Sequence, residues 1–280
     1  GLNDLMMLDR LKRIARRCTP APLWQRLRLA RQHWTLTRFR ARRVEHDYGG
    51  NRFTIHLEDP LAVGWYDQDW PELEEIRAHK QSRLVAGARV FDLGAHQGVV
   101  ALMLATAVGP DGQVIAVELN GHNIAVARKN RESNLCGWLE ILHAAVSAHD
   151  GEITVNQGLN GQIDAGRGGW GASQAIAVTI DSLARRFGPP DVVFMDVEGA
   201  ECLALRGASE TLRSGPDWFI EVHAGVGLEA LGGSVAELRN CFETHHYELR
   251  IAREEGVPFE SWRTDETPTT RFFLLASKLH

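Results

Sequence analysis

At 280 residues the chain is long enough for one large domain, or a domain with an appendage. Its 44% hydrophobic and 24% charged residues exclude a disordered or fibrous protein. The net charge of −5 argues against a nucleic-acid partner, and no apolar run approaches the ~20 residues of a membrane span. Cys18, Cys136, Cys202 and Cys241 are far apart and form no C-x-x-C pair, so they read as reduced core residues. With no signal-peptide pattern near the N-terminus, the expected location is cytoplasmic. Gly1 is read as a processing or expression scar and left out of the argument.

The charge is unevenly spread. Residues 1–47 carry 12 Lys/Arg against 4 Asp/Glu, and the rest carry 19 against 32. The spacing predicts a helix through Leu5, Leu8, Leu11 and Ile14, broken at Pro20 and Pro22. A second helix over Leu23–Val44 would put Leu27, Ala30 and Trp34 on one face. The division is therefore a basic helical arm, 1–47, and a domain, 48–280. The arm is expected to pack on that domain or on a second subunit, the homo-oligomer alternative. Contact with an anionic membrane surface is the competing reading.

Asn51 to Leu57 alternates like a strand, and Glu58-Asp59-Pro60 ends it. Gly64 to Glu72 reads as an aromatic, acidic turn into a helix with Pro71 in its first turn, placed to fold over a ligand as a lid. At least two of Trp65, Tyr66 and Trp70 are expected to be core.

Arg89 to Gly98 carries the strongest pattern. A short apolar strand runs into Gly94 and Gly98, a helix follows from Val99, and a second strand ends on Glu118, 20 residues past Gly98. Strand, glycine turn, helix, strand, acid is the layout of a nucleoside-binding unit, with the acid on the ribose hydroxyls. Gly94 would let the chain turn, and Gly98 would let backbone approach a ligand. A dinucleotide site would have a middle glycine, but His96 and Gln97 stand there and would crowd a pyrophosphate. Asp92 repels phosphate and suits a cationic amino group or sulfonium. S-adenosylmethionine carries both cations and no phosphate.

From there strands alternate with helices. Strands are expected at 89–94, 114–119, 141–147, 191–196 and 218–223. Such alternation implies a parallel sheet covered on both faces. Two strand-like runs, His246 to Ala252 and Arg271 to Ser277, have no helix between them and would close the sheet as an antiparallel hairpin. An insertion at 148–177, with Gly158 to Ser173 as a glycine-rich loop, would hang at the ligand-binding edge. The strand ending in Asp196 and Glu198 and the strand ending in Glu221 and His223 would gather four polar groups at one edge, since alternate strand residues share a face. The ordinary pKa of histidine, near 6.5, suits His223 to a general base.

Val90 to Gly98, Val178 to Leu183, Met195 to Glu201, Leu205 to Ala208 and Phe219 to His223 together resemble the FkbM family of S-adenosylmethionine-dependent methyltransferases, over roughly residues 50–280. The resemblance implies a class I (Rossmann-like) α/β fold: a seven-stranded, mostly parallel sheet with helices on both faces and the antiparallel hairpin. It implies O-methylation of a hydroxyl on a sugar, glycan or related natural product. Asp92, Gly94, Ala95, Gly98, Glu118, Val146, Ser147 and Asp196 would touch the cofactor, Val146 and Ser147 lying where the adenine is held. His223, Asp196 and Glu198 would be catalytic. A divalent metal on Asp196, Glu198, Glu221 and His223 is the less favoured arrangement. The family usually has Asn where His96 stands. The alternatives are a non-catalytic scaffold of the same fold and another nucleoside enzyme such as a dehydrogenase.

Overall fold

The computed structural model describes residues 37–156, 162–163 and 172–279, together with Trp34. It opens with a hairpin, β1 (Arg42–Tyr48) paired antiparallel with β2 (Asn51–Leu57). Gly49 and Gly50 join them with φ of 64° and 83°, the two left-handed residues that suit a tight hairpin. The helical reading of Leu23–Val44 is corrected here, because Arg42 to Val44 belong to β1, and the boundary at 47 cuts that strand. The glycine pair outweighs helix periodicity by folding the chain back onto β2. Before it, Trp34, Thr37 and Arg38 are helical and Trp34 is 56% exposed. Leu27, Ala30 and the arm through residue 33 lie outside the described residues.

The next helix, α1 (Pro60–Tyr66), replaces part of the expected turn. Asp59 caps it by accepting from the Ala62 N–H at 2.8 Å, and Pro60 occupies its first position. The following helix, α2 (Glu74–Lys80), starts three residues after Pro71, which is therefore not in its first turn.

The alternating core follows: β3 (Arg89–Leu93), α3 (Val99–Val108), β4 (Gln113–Glu118), α4 (Gly121–Ser133), β5 (Leu139–His143), β6 (Ala145–Val146), β7 (Gly151–Asn156), β8 (Gln162–Ile163), β9 (Ala172–Val178), α5 (Ile180–Phe187), β10 (Val192–Met195), α6 (Glu201–Arg206), α7 (Ser209–Ser214), β11 (Asp217–Val222), α8 (Val235–Thr244), β12 (Tyr247–Ala252), β13 (Glu260–Ser261) and β14 (Phe272–Lys278). The main sheet has the order β13-β12-β14-β11-β10-β3-β4-β5. Strands β5, β4, β3, β10 and β11 are parallel, and β14 is antiparallel to both β11 and β12. The expected seven strands and closing hairpin are present, with the two-residue β13 as an added edge.

Successive residues of one strand serve opposite faces. On β3, Val90 joins the core under α3 and α4, and Phe91 joins the core under α5 to α8. Helices thus cover both faces, as expected. The apolar run at 141–147 does not stay in one strand. It leaves the main sheet at Ala144, and β6 pairs with β9 in a second sheet of order β6-β9-β7-β8. Most of the Gly158–Ser173 loop lies outside the described residues. Among those described, no helix is long and apolar enough to cross a membrane.

Candidate active site

The glycine loop follows β3 directly. Gly94 has φ +87°, and a Cβ on it would run into the Asp196 carbonyl at the end of β10, whose carbon would lie 2.7 Å away and whose oxygen closer still. Gly98 has φ +76° and caps α3, and a Cβ there would meet Ala127 of α4 at 3.2 Å. Its glycine answers a helix approach, not the ligand approach expected from the sequence. Ala95 is buried between them. Gln97 is fully buried and donates to Asp59 at 2.6 Å, so it points inward and cannot crowd a ligand as expected. His96 sits in the left-handed region at φ 48°. Its Nδ1 is 2.7 Å from the Tyr66 hydroxyl, and burial lowers its pKa to about 4, so the ring is neutral.

Glu118 is buried at the tip of β4. Its two oxygens accept from the His96 N–H at 2.8 Å and the Asn120 N–H at 2.6 Å. The Asn123 side chain and the Leu119 N–H also reach this carboxylate. Asp92 is also buried, and its Oδ2 has no hydrogen-bond partner. Burial lifts both carboxyls to about 7, and for Asp92 the charge of Glu118 adds to the effect.

The second half of the site lies at the ends of β10 and β11. His223 is 6% exposed. Its Nδ1 lies 2.7 Å from Glu201 Oε1. Its Nε2 lies 3.5 Å from Glu198, 3.6 Å from Glu221 and 3.7 Å from Asp196. Desolvation pushes its pKa down, but the Glu201 hydrogen bond and the surrounding carboxylates outweigh it and raise the pKa to about 9. That lies above the ordinary value near 6.5 used in the sequence reading. Asp196 moves the other way to most carboxylates: burial and the charge of Glu221 hold its pKa well above the ordinary range. Glu198 is held at φ 50°. Gly199, at φ +100°, lets this turn pass the Gly227 backbone.

Structure therefore joins Asp92, Gly94, Ala95, Gly98 and Glu118 around one loop, and Asp196, Glu198 and His223 around one strand end. The Asp196 backbone connects the two. Val146 and Ser147 are placed differently. Val146 belongs to the buried core, and the Ser147 N–H is taken by the Val178 carbonyl at 3.0 Å. Two residues escaped the sequence reading. Glu201 orients His223, and its only sequence signal is an acid in the first turn after Gly199. Tyr66 braces His96 from α1. Trp65 is 40% exposed with its ring 5.0 Å from that of His96, whereas Tyr66 is buried and Trp70 packs against the core.

The strand order and the acid-tipped parallel strands define a class I methyltransferase fold. The sequence profile of the methyltransferase FkbM domain matches residues 92–249. The chain belongs to the FkbM methyltransferase family. No curated protein matches the chain at the sequence level. Similar solved structures include methyltransferase FkbM from Methylobacillus flagellatus KT, 16% identical over 68% of this chain and 43% of that one, with TM-score 0.45. A SAM-dependent O-methyltransferase from Thermotoga maritima is 15% identical over 85% of this chain and 78% of that one, with TM-score 0.45. A precorrin-6y C5,15-methyltransferase from Geobacter metallireducens GS-15 is 16% identical over 73% of this chain and 88% of that one, with TM-score 0.44.

S-adenosylmethionine is the cofactor. The loop fits it on its own chemistry. An orphaned buried carboxylate at Asp92 and a raised one at Glu118 favour a cationic ligand, and the missing middle glycine disfavours a dinucleotide.

Proposed function

We propose that the chain is an O-methyltransferase acting on a hydroxyl of a sugar, glycan or related natural product. The observation that supports this reading is the convergence of Asp196, Glu198, Glu221 and His223 next to the glycine loop. Their oxygens form a surface that accepts hydrogen bonds from a polyol. Bound at Asp92 and Glu118, S-adenosylmethionine supplies an electrophilic methyl group.

The chain must then hold the acceptor oxygen in line and take its proton. Asp196 is our choice of base. Its side chain is 46% exposed although Oδ1 is buried, and its raised pKa moves it toward the working range of a base. His223, oriented by Glu201, stands among the neighbouring carboxylates, and Glu198 contacts the acceptor. Asp92, Gly94, Ala95, Gly98 and Glu118 form the cofactor side. Val146 and Ser147, at the end of β6, remain the proposed adenine side.

A panel of hydroxylated acceptors with methyl-labelled cofactor tests the reading. Transfer to oxygen on a polyol, lowered at least a hundredfold by Asp196→Asn, supports it. Full turnover in both Asp196→Asn and His223→Gln, or transfer to nitrogen or carbon, overturns it. Cofactor binding without transfer to any acceptor would favour the scaffold alternative.

A further inference from the structure

One ring nitrogen of His223 is fully engaged and the other is not. Nδ1 is held at 2.7 Å by Glu201 Oε1, which also accepts from the Gly199 N–H at 2.9 Å. Glu201 is completely buried, so this contact fixes the plane and direction of the imidazole. A carboxylate behind an imidazole is the usual way a histidine is oriented to ligate a metal through its far nitrogen.

The far nitrogen, Nε2, has no hydrogen bond although His223 is more than nine-tenths buried. It faces Glu198 at 3.5 Å, Glu221 at 3.6 Å and Asp196 at 3.7 Å. These distances are too long for hydrogen bonds. They match ligand atoms around one ion, since ligands ~2.1–2.4 Å from a divalent cation stand roughly 3–4 Å apart. One ligand atom each from Asp196, Glu221 and His223 falls within 4.8 Å of the others. Asp196 Oδ1 is buried and has no partner. Arg271 donates to Glu221 at 2.8 Å from the rim.

We propose that this cluster is a divalent-cation site, with His223 Nε2 and carboxylate oxygens of Asp196 and Glu221 as its ligands and Glu198 beside it. Two carboxylates and one imidazole suit Mn²⁺ or Mg²⁺. The proposal rests on the reading of these strand ends as the acceptor side of the methyltransferase. The half-exposed edge at Asp196 and Glu198, 46% and 31% open, leaves coordination positions for water or an acceptor hydroxyl. Asp196 Oδ1 would face the ion and Oδ2 would stay available for the hydroxyl proton.

The test is Mn²⁺ binding to the full chain after treatment with a chelator, read by loss of the free-ion electron paramagnetic resonance signal. We expect one site, weakened at least tenfold in Glu221→Gln and in His223→Gln, with thermal unfolding confirming that both variants fold. Asp196→Asn, at a more exposed position, gives a third reading should either fail to fold. No binding to the wild type, or binding unchanged in the folded variants, overturns the site. Cofactor affinity of the chelator-treated wild type, measured by calorimetry, reports the methyltransferase reading separately. Intact cofactor binding with no Mn²⁺ binding would overturn the cation site alone.

Discussion

Gly94 and Asp196 occupy the same small space: the backbone of one lies where a side chain on the other would have to go. The glycine loop and the end of β10 are thereby fixed against each other. Gly94→Ala should break that contact. The left-handed φ alone costs about 1–3 kcal/mol for a non-glycine residue, and the clash with a carbonyl adds to it. We expect a lower unfolding temperature and weaker cofactor binding together, measured by calorimetry. An alanine variant of unchanged stability would contradict the geometry.

Glu118→Gln should weaken S-adenosylmethionine binding. Losing a charged acceptor costs about 1.5–3 kcal/mol per hydrogen bond, a tenfold to roughly hundredfold rise in Kd. The same change turns an amide NH₂ toward the His96 or Asn120 N–H, so stability should fall as well. Titration calorimetry on the folded variant separates the two effects.

Tyr66→Phe should act at a distance through His96. It leaves a buried ring nitrogen without its 2.7 Å partner, at a cost of about 1–3 kcal/mol. Because His96 donates its N–H to Glu118, cofactor affinity should drop with stability. Denaturant unfolding and calorimetry on the same preparation check both.

Asp59 sets a pH dependence. Burial pushes its carboxyl up, but hydrogen bonds from His122, the Ala62 N–H and Gln97 prevail and bring it to about 2, against 3.8 unfolded. A depressed folded value stabilises above the unfolded one. The contribution is therefore complete above about pH 4 and is lost as the pH falls through about 2. Two units correspond to roughly 2–3 kcal/mol. Asp59→Ala should remove this acid-sensitive part and cost about 1 kcal/mol more through the lost cap of α1. Unfolding free energies between pH 2 and 6, compared with wild type, would show it.

The elements from β3 onward were legible because each strand is a short apolar run closed by glycine or an acid. The ends of the main-sheet strands fall within two residues of expectation, apart from the run broken at Ala144 and the unexpected β13. Strand β1 was not legible. Its Arg42, Arg43, Glu45 and Asp47 continue the charge of the arm, and only the Gly49-Gly50 turn announces a hairpin. Helix α1 is short and contains Gly64, so its Asp59-Pro60 start was taken for a strand end. The glycine loop has the expected strand, turn and helix geometry, while Gly98 and Gln97 pack against protein. Glu201 and His223 stand 22 residues apart, and nothing in their spacing reveals that α6 returns to the end of β11.

The insertion of β14 between β11 and β12 also fixes the order in which the molecule can be assembled. During synthesis β12 emerges before its neighbour exists, and it has no partner in the main sheet until Phe272–Lys278 arrive, apart from the two residues of β13. Until then β11 presents an unpaired edge beside His223. The edge at the end of β11 is thus the last part to close, and a nascent chain would be open to wrong strand pairing there in the interval.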